Sequence, residues 1–99
     1  MATKTKKPYV VVRTYSAGVH AGTLVERKGK ECVLTNTRRL WYWKGAASLS
    51  ELAVSGVKNP LECKFSVPVS ENILTEGIEF LKCTKDAEAN IKAVPEWKA

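Results

Sequence analysis

Residues 31–43 read ECVLTNTRRLWYW. Apolar, β-branched and aromatic side chains dominate, which predicts one long strand. Successive strand residues point to opposite faces. Unbroken alternation puts Cys32, Leu34, Arg38, Leu40 and Tyr42 on one face, and Val33, Arg39, Trp41 and Trp43 on the other. The first face carries most of the aliphatics and is the expected core side. The second is a partly apolar surface with an arginine beside it. Asn36 interrupts the hydrophobic pattern and is the expected place for a bend.

Working outward, residues 19–28 (VHAGTLVERK) read as the strand before it. Gly29-Lys30 between the two runs is a two-residue hairpin signal, because glycine accepts a positive φ. Residues 9–15 (YVVVRTY) predict a first strand, and SAGVHAG after it supplies glycines for a turn or bulge. On the other side, KGAAS ends the long strand. Ser48 with Glu51 three residues on forms a capping-box pattern, so a short helix is expected at about 48–55, stopped by Gly56. Residues 64–69 and about 73–82 are strand candidates. SENILTEG between them is open to a helical turn, and Gly77 to an interruption of the second strand. Residues 85–94 predict a final helix capped by Thr84 and stopped by Pro95. The expected order is β-β-β-α-β-β-α. Short connections favour antiparallel neighbours. The expected fold is therefore α+β: a curved antiparallel sheet or partial barrel of about five strands with two short helices.

A chain of 99 residues supports a single domain. Residues 1–8 are expected as a flexible basic arm and 9–99 as the folded unit, since Lys4, Lys6 and Lys7 stand there without an acid or a periodic pattern. Sixteen Lys and Arg against ten Asp and Glu give a net charge of +6. The excess falls partly on Arg27, Lys28, Lys30, Arg38, Arg39 and Lys44, where Glu31 is the single acid. Such a segment favours anionic partners: nucleotides, nucleic acid or acidic protein. No apolar stretch reaches the ~20 residues of a membrane helix, and no secretory signal pattern is seen at the start. Three unevenly spaced cysteines (Cys32, Cys63, Cys83) argue against a disulfide framework and a zinc site, and fit a reducing compartment.

Catalysis finds little support in these residues. The one histidine, His20, stands beside a strand, and neither a nucleophile motif nor a phosphate loop is present. No cofactor and no metal are expected. Binding is better supported, since tryptophan and arginine are the residue types enriched at interfaces, and they suit nucleobase faces and phosphates. The expected ligand site joins Arg39, Arg38, Trp41 and Trp43 to the turn that holds Tyr15, Ser16, Gly18 and His20. Of the two arginines Arg39 is favoured, because it shares a face with the tryptophans. The competing reading makes Trp41 and Trp43 core or a subunit interface. A small core with aromatics on both faces of one strand also predicts a homo-oligomer.

VRTYSAGVHAG, RRLWYWKGAASLSELAVSGV, CKF, ILTE and VPEW resemble a family of small uncharacterised proteins of bacteriophages and prophages, over roughly residues 11–97. The resemblance implies a host bacterial cytoplasm and supplies no catalytic residues. Similar in size and charge are the phage sponges that sequester nucleotide signals of bacterial immunity. The leading expectation is thus a non-enzymatic accessory protein that binds a small anionic nucleotide and counters defence. The alternatives are a DNA- or RNA-binding accessory protein, and a protein inhibitor or structural phage protein.

Overall fold

The computed structural model describes residues 7–98. Most of the expected basic arm lies outside them. Pro8 is already tied to the sheet, because its carbonyl accepts a 2.8 Å hydrogen bond from Leu24 N.

The first three strands are β1 (Tyr9–Thr14), β2 (Val19–Lys28) and β3 (Glu31–Tyr42). Gly29 takes φ 61° in the two-residue turn between β2 and β3, as the hairpin signal predicts. Helix α1 (Leu49–Ser55) follows, then a single 3-10 turn at Pro60–Glu62, β4 (Lys64–Phe65), β5 (Val69–Leu74), β6 (Gly77–Lys82) and helix α2 (Lys85–Ala93). The last part of the chain corrects the sequence reading. SENILTEG holds no helical turn: most of it is β5, and Gly77 opens β6 instead of interrupting a strand. The six strands form one antiparallel sheet, and with the two helices the fold is α+β.

The sheet has to curl. β5 pairs with the first half of β3, β4 with its second half, and β6 lies at the opposite edge beside β1. Four strand spacings, about 19 Å when flat, separate β5 from β6. The link from Leu74 to Gly77 reaches at most ~11 Å. Gly77 N also donates to Lys30 O at 2.9 Å, which draws the β6 end onto the β2–β3 hairpin.

Curling gives the sheet two cores. Val10, Val12, Cys32, Leu34 and Leu74 fill the inside of the curl, with Leu24 and Phe80 packed on them. Tyr9, Val11, Ala21, Leu40 and Phe65 face the helices and meet Leu52, Val57, Ile91 and Val94. β1 is therefore buried on both faces, which explains its unbroken YVVV run.

The two cores overturn the simple alternation along β3. Cys32 and Leu34 lie inside the curl, whereas Leu40 lies on the helix side. The switch occurs at Asn36, where φ is 48° and the pairing with β2 slips between Ala21 and Thr23. This is a β-bulge, and the extra residue reverses which face the following residues occupy. Gly22 sits opposite. A side chain there would meet Thr37 Cβ at 2.8 Å. Tyr42, expected in the core, is half exposed.

Candidate functional site

Past the bulge, Arg38 and Arg39 face opposite sides of the sheet. Arg38 pairs across to Ala21 on the helix side and is 2% exposed. Its Nε donates to Ser66 O at 2.8 Å, and Nη1 donates to Ile91 O at 2.8 Å. Nη2 donates to Phe65 O at 3.3 Å and Pro95 O at 3.4 Å. The guanidinium thus ties β4 to the end of α2. Among the described residues no carboxylate pairs with it. Burial pulls its pKa below the usual arginine value, opposed by Tyr9 and Glu96. Its four carbonyl acceptors make it first of all a structural hub.

Arg39 faces the other way, opposite His20. Its guanidinium carbon lies 4.4 Å from the Trp41 ring centre. It also lies against the Gly18 backbone, where a side chain would meet Nη2 at 3.0 Å. Gly18 has φ 86°, a conformation suited to glycine. Trp41 is 57% exposed and meets Trp97 edge-on, at 6.3 Å between ring centres and 66° between planes. Lys64 Nζ stands 5.3 Å from the Trp97 ring. The result is an exposed row in the order Arg39, Trp41, Trp97, Lys64, with a cation at each end and two indoles between.

Trp97 reaches this row because the segment after α2 runs beside β4. Its N–H donates to Phe65 O at 2.9 Å, and Glu96 bridges to Phe65. The sequence reading left Trp97 and Lys64 out of the site. VPEW marked a helix end with a tryptophan after it, and nothing local showed where that tryptophan would land.

The remaining expected residues divide. His20 is buried beside Arg39, and its Nε2–H donates to Ala17 O at 2.9 Å. Burial lowers its pKa from 6.5, and the Arg39 charge lowers it further. Nδ1 is buried without a partner. Tyr15 is 80% exposed. Ser16 Oγ donates to Glu76 Oε1. Two backbone N–H groups of the turn are already engaged within the chain. Tyr15 N donates to Glu76 O, and Ala17 N donates to Thr14 Oγ1 at 2.9 Å. Trp43 is half buried against the helix-side core and leaves Trp41's face. The structure thus gathers Arg39, Trp41, Gly18 and His20, and sends Arg38 and Trp43 to the other side.

Two of the thiols, Cys32 and Cys83, have little nucleophilic character. Burial raises Cys32, and it pushes Cys83 up to about 11 with help from Glu88. Among the described residues no cluster of three His, Cys, Asp or Glu is placed to hold a metal. No described helix is long and apolar enough to cross a membrane.

Residues 7–91 match the model of a family described as Domain of unknown function (DUF6948). The chain belongs to this family. The matched span contains Arg38, Arg39, Trp41 and Lys64, and ends before Trp97. No curated protein and no solved structure matches the chain.

Proposed function

We propose that this chain is a non-enzymatic binding protein that takes single-stranded nucleic acid on the row from Arg39 to Lys64. The observation that carries the reading is the row itself: two half-exposed indoles flanked by cations. Proteins that bind single strands combine aromatic platforms for bases with cations that follow the phosphates. Arg39 covers part of Trp41 in the free chain. Its side chain is only partly buried, so it can swing to a phosphate while a base takes its place on the ring. Arginine suits both states, since it stacks on aromatic faces and pairs with phosphate through two bonds.

The same residues also support the second reading, a free nucleotide signal held and sequestered in a phage-infected bacterial cytoplasm. The observation that favours it is Arg39 held against the Gly18 backbone, which would give a phosphate one defined position. The openness of Trp41 and Trp97 favours the strand, because an enclosed nucleotide calls for walls around the base. A homo-oligomer belongs to the proposal as well. Among the described residues β5 pairs only with β3, and it carries Val69 and Ile73, 47% and 63% exposed. Open edges of that kind invite a second chain.

Tryptophan fluorescence during titration with short single-stranded DNA and RNA tests the reading. Binding is expected to weaken steeply with salt through counterion release. Trp41→Ala and Trp97→Ala are each expected to cost about 1–3 kcal/mol of affinity, and Arg39→Lys to weaken binding while leaving the fold intact. Affinity unchanged in all three variants would refute the site. Tight, salt-insensitive binding to a cyclic dinucleotide without oligonucleotide binding would transfer the case to the second reading.

A further inference from the structure

On the opposite side of the sheet, a cavity of about 290 Å³ is lined by Asn36, Arg38, Pro68 and Lys92. We propose that this cavity is a separate binding site for a phosphate group.

The first reason is charge. Two of the four lining residues are cationic and none is acidic. Buried charges in proteins are ordinarily paired or coordinated. Arg38 is buried, its hydrogen bonds all go to carbonyls, its guanidinium carbon lies 5.5 Å from the Phe65 ring centre, and no carboxylate pairs with it among the described residues. Four hydrogen bonds to carbonyls leave one N–H on Nη1 uncommitted. An anion beside it would complete both the charge and the donor set.

The second reason is the mouth of the cavity. Lys92 pairs with Glu88 at 2.7 Å, four residues earlier on α2. Half-exposed helix pairs of this kind contribute little, so the ammonium can turn to a ligand at small cost. It already lies 5.2 Å from the ring centre of Tyr9. The Tyr9 hydroxyl is buried without a partner, and burial holds it in the protonated, donating form.

The third reason is the backbone. Asn36 adopts φ 48° as a non-glycine residue, and such strained positions cluster at ligand sites. Its carboxamide gives the cavity wall a neutral donor. The volume holds a tetrahedral oxyanion with several waters, at about 30 Å³ each. Its source is either free phosphate or a phosphomonoester on a nucleotide. The site stands independently of the Arg39 row, because Arg38 and Arg39 face opposite ways.

The test is thermal unfolding and calorimetry with inorganic phosphate against chloride at matched ionic strength. A nucleoside monophosphate and its nucleoside form the second arm. A saturable rise in Tm with phosphate is expected, with at least tenfold weaker binding in Lys92→Ala. Asn36→Gly keeps the backbone conformation, removes the carboxamide, and is expected to weaken binding likewise. The same losses are expected when Lys92→Ala and Asn36→Gly are each made in an Arg39→Ala background, which removes the phosphate contact of the other face. Binding of the monophosphate but not of inorganic phosphate or the nucleoside would name the esterified group as the ligand. No saturable binding of either phosphate, or equal affinity in Lys92→Ala and Asn36→Gly to that of the parent chain, would overturn the proposal.

Discussion

Arg38 and Arg39 are neighbours in sequence, yet substitution should separate them cleanly. Arg38→Ala strips four carbonyls of their donor in a buried setting. Buried groups left unsatisfied cost about 1–3 kcal/mol each, so a loss of roughly 3 kcal/mol or more is expected by denaturant unfolding. Arg39→Ala should stay near the ~0.5 kcal/mol typical of surface changes and act on ligand affinity instead. Equal destabilisation by both would contradict this division of roles between hub and ligand contact. His20 supplies a pH signature. Its folded-state pKa is depressed below 6.5 by burial, with the Arg39 charge adding to the effect. The unfolded chain therefore takes up its proton first as pH falls. Stability from the neutral ring is complete above pH 6.5, and is lost as pH drops from there towards the folded value. The difference in Tm between the parent chain and His20→Gln, measured from pH 7.5 to 5, is expected to shrink on acidification. A difference independent of pH would mean that His20 does not titrate between the two states.

Among the elements, those with local signals were legible and those built by distant contacts were not. Ser48 Oγ accepts from Glu51 N at 3.1 Å, and Thr84 Oγ1 accepts from Ala87 N at 3.0 Å, as their cap positions predict. Even here a detail differs: the Glu51 carboxylate accepts from Ala47 N at 2.7 Å, one residue before the expected donor. Ser48→Ala is expected to cost about 1 kcal/mol, read from the unfolding midpoint. β5 escaped detection because an edge strand needs no apolar alternation. Its only fully buried residue is Leu74. The bulge at Asn36 was visible as a break in pattern. Its effect was not, since the reversal of faces follows from a positive φ that the sequence does not display. The row from Arg39 to Lys64 was therefore half legible. Arg39 and Trp41 share a strand, while Trp97 arrives from the far end of the chain. A second lock between elements is equally non-local. Asn90 on α2 accepts from Val57 N at 2.8 Å and donates to Val57 O at 2.9 Å, just past the end of α1. Gly56 leaves no room for a side chain against Asn90. Asn90→Ala is expected to destabilise by about 1–3 kcal/mol without changing affinity on the opposite face.

For the whole molecule, chain order and spatial order disagree. β1 comes first in the chain but lies inside the sheet between β2 and β6, buried on both faces. Arg38, midway along, has its acceptors at Ser66, Ile91 and Pro95. Contacts between residues so far apart slow folding, because the entropy of closing the chain is lost before the contacts form. Removal of residues 95–99 takes away Trp97 and the Pro95 carbonyl together, and should weaken nucleic-acid binding and stability at once. The curled sheet also has a consequence for synthesis on the ribosome. While the chain is still growing, the β1–β2–β3 meander lacks β6 to cover β1 and α2 to cover the opposite face. Val10, Val11 and Val12 then remain open to the surroundings until β6 and α2 have emerged. A nascent chain arrested after Leu74 is expected to stay protease-sensitive and to engage chaperones, and one with β6 and α2 clear of the ribosome to acquire resistance.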